Sequence, residues 1–255
     1  MIQLRNVTKR YPHNGRNQEH TAVNEVSLRI SEGEFVCVLG PSGCGKSTLL
    51  NLVAGFLRPT AGDVLFGGRP VAEPGPERGV VFQDPTLFPW MTVRANVEFG
   101  LAARDMAPGD RRRAAAAALH LVGLDDFAQA YPHTLSGGMR QRVALARVLV
   151  LEPRALLMDE PFGALDANSR ERLQDELLRL WQQRRRTVLF VTHNVEEAAY
   201  LADRVVVMGP APRSLRGEVA VELPRPRPRS GAALAQVAGR LRDILAHMPC
   251  CMPQS

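Results

Sequence analysis

One stretch constrains this chain more than any other: GPSGCGKST, from Gly40 to Thr48. It follows the apolar run EFVCVLG and leads into KSTLLNLVAGFL, where Leu49, Leu50, Val53 and Phe56 recur at helical spacing. A buried strand, a glycine-rich turn and a helix in that order make an anion cradle. Glycines let successive backbone N–H groups turn inward, and the helix N-terminus adds partial positive charge. The pattern G-x-x-x-x-G-K-[ST] in this setting is that of a phosphate loop, with Lys46 reaching the β- and γ-phosphates and Ser47 holding Mg²⁺. Of 32 basic residues only Lys9 and Lys46 are lysine. A chain that otherwise uses arginine has kept a compact ammonium at the one place where it must nestle among phosphate oxygens.

The rest of the chain fits an α/β protein built on a parallel sheet. Strands are expected at MIQLRNVTKRY, AVNEVSLRI, GEFVCVLG, GDVLFGGRPV and GVVFQD. A largely helical middle runs from Pro85 to Glu152, after which ALLMDEP, TVLFVTH and VVVMG alternate with the helical SRERLQDELLRLWQQRRR and NVEEAAYLADR. Continuous apolar strands between helices imply a sheet covered on both faces, and the helical middle reads as an inserted subdomain. From Pro210 onward proline and arginine punctuate a short tail.

Composition excludes several classes. With 45% apolar and 23% charged residues the chain is an ordinary globular one. Cys37 lies in an apolar run, Cys44 in the glycine loop, and Cys250 and Cys251 are adjacent near the end. Four cysteines so placed suit a reducing compartment rather than a disulfide framework. The N-terminal stretch lacks the apolar core of a signal peptide, and no apolar run approaches the ~18 residues that cross a bilayer. A soluble chain is expected, reaching a membrane only through a partner. The net charge of +6 is spread over Arg111–Arg113, Arg184–Arg186 and Arg225, Arg227 and Arg229, without interleaved aromatics to stack bases. A solvated, arginine-rich surface is expected, and no nucleic-acid partner.

Further residues carry chemistry. Asp159 and Glu160 end the strand ALLMDEP, the edge of an α/β sheet where ligands bind; Asp159 suits Mg²⁺ held through water, and Glu160 an attacking water. Gln83 follows GVVF, His193 ends TVLFVTH, and Tyr11 follows the first strand, where it could stack on a base. A second anion-binding helix start, Ser136, Gly137 and Gly138, stands in LSGGM, yet it has no lysine or magnesium-binding acid of its own. It could complete a nucleotide site but not form one.

Together these segments resemble, along nearly the whole chain, the ATP-binding subunits of ABC transporters. The matching set is Tyr11 (A-loop), Gly40–Thr48 (Walker A: Gly40, Pro41, Ser42, Gly43, Cys44, Gly45, Lys46, Ser47 and Thr48), Gln83 (Q-loop), LSGGM (signature), ALLMDE (Walker B), ALDA at Ala164–Ala167 (D-loop) and His193 (H-loop). Met139 takes a place where many relatives carry glutamine. The resemblance implies a P-loop NTPase fold, with a RecA-like parallel core, an N-terminal antiparallel β subdomain and a helical subdomain at about 85–152. The ATP-binding domain then spans 1–209 and a short extension 210–255.

The resemblance also implies an ATPase using ATP and Mg²⁺. Glu160, His193, Lys46 and Gln83 would be catalytic, and Ser47, Gln83 and Asp159 would hold the metal. Two copies would bind head to tail, Ser136, Gly137 and Gly138 touching the γ-phosphate held by the partner, with Asp166 crossing the dimer. Two integral membrane permease subunits and, indirectly, a solute-binding protein would be the other partners, at the cytoplasmic face of a bacterial inner membrane. GPERGVVFQDPTLFPWMTVRANVEFGL, LLMDEPFGALDA and VTHNVEEAAYLADRVVVM are similar to importers of nitrate, sulfonates or taurine, the first most to taurine and sulfonate subunits. Phe88, Pro89 and Trp90 form an apolar patch that suits either a groove for a permease helix or core beneath the helical segment. An exporter or lipid-system ATPase, or a soluble relative acting on nucleic acid or ribosomes, is the alternative. The soluble relatives usually carry long coiled coils or two cassettes, and this chain has neither.

Overall fold

A computed structural model describes residues 1–12, 19–163 and 165–248. The chain forms two compact units, one from Met1–Gly75 with Arg186 onward and one from Pro76–Arg185.

The first unit holds two sheets. In one, β1 (Ile2–Pro12), β2 (Glu19–Ile30), β4 (Ala61–Phe66) and β5 (Arg69–Pro70) are antiparallel, in the order β2-β1-β4-β5. In the other, β3 (Phe35–Leu39) lies between two parallel neighbours, β8 (Thr187–Thr192) and β9 (Arg204–Met208), and β10 (Leu215–Ala220) pairs antiparallel with β9. β3 and β8 are buried at every residue, as their unbroken apolar sequences require. Leu39 pairs with both Thr192 and Val207. The chain segments that begin at Gly40, His193 and Gly209 therefore leave the sheet at one edge.

Helix α1 (Lys46–Ala54) buries Leu49, Leu50 and Val53. It stops short of the expected Phe56: Gly55 turns left-handed (φ 87°) and donates its N–H to the Asn51 and Leu52 carbonyls, a helix stop that glycine makes without strain. Phe56 is consequently exposed. The expected single strand GDVLFGGRPV folds back at Gly67 and Gly68, both at positive φ, to become β4 and β5.

In the second unit β6 (Arg78–Val81) and β7 (Ala155–Asp159) are parallel, with Val81 opposite Met158. Gln83 and Glu160 thus follow strands that end at a common edge. Helices α2 (Val93–Ala102), α3 (Pro108–Leu121) and α4 (Gly137–Leu149) pack on one another. The long α5 (Ala167–Arg184) buries Leu173, Leu177, Leu178 and Trp181 along one face.

The tail is more structured than its proline and arginine suggest. It adds β10 and α7 (Ala232–Ala246), and α7 buries Val237, Ala238 and Leu241 against β9, β10 and α6 (Val195–Leu201). Nor are Arg225, Arg227 and Arg229 the solvated surface expected of them. Arg227 is buried, and its guanidinium donates to the carbonyls of Ala199 (3.1 Å), Tyr200 (2.8 Å), Ala202 (2.7 Å) and Val221 (3.1 Å). Arg225 pairs with Asp203 and donates to the Leu201 carbonyl, while Arg229 lies 4.1 Å over the Tyr200 ring. The unspent carbonyls at the end of α6 need donors, and alternate residues of the Pro-Arg run supply them. Burial, and after it the charge of Arg225, lowers the Arg227 pKa to about 10. Cys250 and Cys251 lie outside the described residues.

Arg227→Met would remove the donors while leaving the acceptors buried. At ~1–3 kcal/mol for an unsatisfied buried group, partly relieved by local rearrangement, a loss of about 3 kcal/mol is expected in urea unfolding. An unchanged midpoint would show that α6 does not depend on this clamp.

Candidate functional site

The loop leaving β3 is shaped by two close approaches. A Cβ on Gly40 would fall 2.3 Å from the Met208 carbonyl oxygen, and one on Gly45, at φ 93°, 2.2 Å from the Ala22 carbonyl oxygen. Any side chain at either place would drive the backbone apart. Gly43, also at positive φ, faces open space. Pro41, Ser42 and Gly43 are exposed, as is Ser47 at the start of α1, while Thr48 is half-buried and Cys44 is packed beneath the loop. Lys46 is only 5% exposed; its Nζ donates to the carbonyls of Gly40 (2.9 Å) and Pro41 (2.8 Å).

His193 is exposed where β8 ends, beside the exit of Gly40. The residues after it build a rigid start for α6. Asn194 Oδ1 accepts from the Glu197 N–H (2.9 Å), the Asn194 N–H donates to Thr192 Oγ1 (3.0 Å), and that hydroxyl donates to the buried Glu197 carboxylate (2.5 Å). The N-x-x-E spacing of this cap is readable in the sequence. Tyr11, half-buried near the end of β1, has the Lys9 ammonium 5.4 Å from its ring centroid.

The second unit carries the other candidates. Gln83 is exposed just past β6, Asp159 is the last residue of β7, and Glu160 follows it with a left-handed backbone, φ 44°. A non-glycine residue there costs roughly 1–2 kcal/mol, and strain of this kind gathers at sites where a side chain must be aimed. Ser136 is exposed as N-cap of α4, its Oγ accepting from the Met139 N–H at 3.2 Å; Gly137 and Gly138 form the first turn, whose N–H groups have no partner within the helix. Asp166 caps α5 by accepting from the Ser169 N–H at 2.9 Å, and that hydrogen bond lowers its pKa. Ala164, in the D-loop segment, lies outside the described residues.

Two buried amides that the sequence did not single out moor the segment around Gln83. Gln141, 2% exposed on α4, donates Nε2 to the Phe82 carbonyl at 3.0 Å. Asn96 of α2, fully buried, accepts from the Phe88 N–H (2.8 Å) and donates to the carbonyls of Phe88, Met91 and Thr92. The only signal for either is a polar residue set into an apolar helical stripe. Phe88 in turn stacks obliquely on Trp90 and Phe99, at centroid distances of 5.6 and 4.5 Å, with Arg147 5.7 Å over its ring. Trp90 is 70% exposed and Phe99 50%, so this patch is surface rather than core.

The donor set fits a nucleotide polyphosphate: backbone N–H groups at a tight turn, a buried ammonium and an exposed hydroxyl at a helix start. Ser47 in the first unit, and Gln83 and Asp159 in the second, each carry an oxygen donor of the kind Mg²⁺ takes. Among the described residues no cluster of three or more His, Cys, Asp or Glu is placed to hold a metal ion.

Comparison with known proteins decides the family. A family model for ABC transporters matches residues 23–163. The chain belongs to the ABC transporter family. It is 49% identical over 219 residues to the nitrate import ATP-binding protein NrtD of Synechococcus elongatus, covering 85% of this chain and 80% of that protein. To the bicarbonate transport ATP-binding protein CmpD of a Synechocystis species it is 47% identical over 230 residues, covering 89% and 80%. A dimeric structure of a post-hydrolysis state of the ATP-binding cassette MJ0796, bound to ADP and Pi, superposes with a TM-score of 0.79 at 33% identity, covering 88% of this chain and all of that one. The fold is that of a P-loop NTPase cassette, and this ABC subunit is an ATPase. No helix among its described residues is long and apolar enough to cross a membrane.

Glu160→Gly tests the strained backbone. Relief of the left-handed penalty, offset by glycine's greater freedom in the unfolded chain, predicts a gain of about 0.5–1 kcal/mol in unfolding free energy. A loss instead would mean that the Glu160 side chain contributes more to the fold than its backbone costs.

Proposed function

We propose that this ABC ATPase energises import of a small anionic solute, of the nitrate, taurine or sulfonate class, through partner permease subunits at the cytoplasmic face of a bacterial inner membrane. The domain bounds are 1–209 for the ATP-binding domain, with its helical subdomain at about 85–152, and 210–255 for the extension. Lys46 and the N–H groups of Gly40–Thr48 hold the phosphates, Tyr11 stacks on adenine, and Ser47, Gln83 and Asp159 hold Mg²⁺, the last through water. Glu160 activates the attacking water and His193 contacts the γ-phosphate.

The observation that carries this reading is the start of α4. Ser136, Gly137 and Gly138 present N–H donors to an anion, yet the chain's two lysines stand elsewhere, at Lys9 and Lys46. Such an element works by completing a site that another copy begins, so two chains bind head to tail around two ATP molecules, with Asp166 crossing between them. The dimeric, ADP-bound form of the similar MJ0796 cassette supports this. ATP shifts the open–closed equilibrium of the pair because it bonds to both copies only when they are closed. The Phe88–Trp90–Phe99 patch, with Trp90 and Phe99 exposed, supports docking of a permease helix. The import direction and the anionic solute rest on the nitrate and bicarbonate systems to which NrtD and CmpD belong by name.

Glu160→Gln protein is expected to double its solution mass on adding MgATP and to remain monomeric once Ser136→Arg is added, with hydrolysis down by about 10²–10⁴-fold. A monomer with ATP bound, even beside the permease, would overturn the shared site. Trp90→Arg should leave the ATPase of the isolated subunit intact and abolish recruitment to permease-containing membranes; survival of both would refute the docking surface.

A further inference from the structure

A cavity of about 370 Å³ opens in the C-terminal extension, lined by Arg213, Arg216, Asp243, Ile244, His247 and Met248. Its size lies within the range of small-molecule sites. Its walls are the turn joining β9 to β10 and the end of α7. Two arginines and a histidine line it together with a single aspartate, so the lining is net basic. Arg213 makes no hydrogen bond or ion pair among the described residues, and Arg216 donates Nη2 to the Pro210 carbonyl at 3.1 Å. His247 Nδ1 donates to the Asp243 carbonyl at 2.6 Å, which fixes its ring and leaves Nε2 for another partner. Ile244 and Met248 make the remainder of the wall apolar.

The cavity backs onto the phosphate loop. Arg216 lies across Gly209, where a Cβ would stand 2.5 Å from its Nε. The preceding residue, Met208, is the one whose carbonyl fills the space beside Gly40. The same turn is tied to β2: the Asn24 N–H donates to Ser214 Oγ and its Nδ2 to the Pro212 carbonyl, both at 2.9 Å. Two residues before Asn24, the Ala22 carbonyl fills the space beside Gly45. The turn at 208–214 therefore meets the start of the loop directly, through the Met208 carbonyl beside Gly40, and is linked to its close at Gly45 through Asn24 and the β2 backbone that carries Ala22.

We propose that this cavity is a regulatory site for a small organic oxyanion, a sulfonate or carboxylate with a few carbons, whose binding alters the grip of the phosphate loop on nucleotide. Arginine forks suit such headgroups bidentately. The volume exceeds the need of a bare inorganic ion, and Ile244 and Met248 suit a short alkyl remainder. A ligand that displaces the turn at 208–214 shifts the loop, and by linkage nucleotide on the loop shifts the ligand's affinity by the same factor. The existence of the site does not depend on the transport reading; only its coupling rests on the loop binding nucleotide.

The test is calorimetric titration of the full chain, without nucleotide, with butane-1-sulfonate, butyrate and inorganic sulfate. Saturable binding of the organic anions is expected, weakened about tenfold or more by Arg213→Ala or Arg216→Ala and unchanged by Arg240→Ala, an exposed α7 residue outside the lining. Absence of saturable binding, or equal binding by the arginine variants, overturns the site, and sulfate binding as tightly as butane-1-sulfonate overturns the organic assignment. ATP affinity is then measured with and without saturating sulfonate. A shift of several-fold is expected, and no shift overturns the coupling. A chain that binds no ATP even without sulfonate marks failure of the nucleotide reading instead, since the first titration stands apart from it.

Discussion

Gly40 and Gly45 have no room for a single additional carbon atom, and the first unit is organised around that fact. Met208 carbonyl presses on one, Ala22 carbonyl on the other. The phosphate loop is therefore not a flexible flap between a strand and a helix but a span clamped at both ends by neighbouring backbone. β3 brings the loop to the sheet edge, β9 provides the first clamp and β2 the second. Between them Gly43 is left open, where a ligand's oxygens need to approach. Rigidity at the ends with exposure in the middle is what a preorganised anion site requires, since donors already in place need no ordering when the anion arrives.

A similar economy governs α6. Its seven residues are too few to be stable alone, and it is held from both ends: by Thr192, Asn194 and Glu197 at the start and by Arg225 and Arg227 at the finish. His193, directly before it, inherits a fixed backbone from these contacts. In the second unit Gln141 and Asn96 do the corresponding work for the segment around Gln83, so the exposed candidate site residues rest on buried polar ones.

Much of this was legible in the residues, and the misses have physical causes. The all-apolar strands β3 and β8, the loop at Gly40–Thr48 and the serine that opens α4 were readable because local chemistry determines them: unbroken apolar runs, a glycine pattern and a capping side chain. Phe56 went wrong because one left-handed glycine outranked an apolar period. The hairpin at Gly67 and Gly68 was hidden because strand propensity continues on both sides of it. The buried Arg227 could not be read at all; arginine is ordinarily a surface residue, and three of its acceptors lie in and just after a helix more than twenty positions earlier in the chain. The mooring amides Gln141 and Asn96 likewise depend on partners that only the folded chain supplies.

Lys46 keeps a reserve that matters after catalysis as much as before it. Its buried ammonium donates to two carbonyls of its own loop, so on the proposed reading a phosphate would not meet a bare charge but would take the place of internal acceptors. The affinity gained is the difference between two sets of hydrogen bonds rather than the whole of one. On that reading the ammonium would have these carbonyls to return to when inorganic phosphate and nucleoside diphosphate depart, and no unpaired buried charge would hold the products back. A loop built this way trades tightness for turnover, which suits a motor that must empty its site to run again.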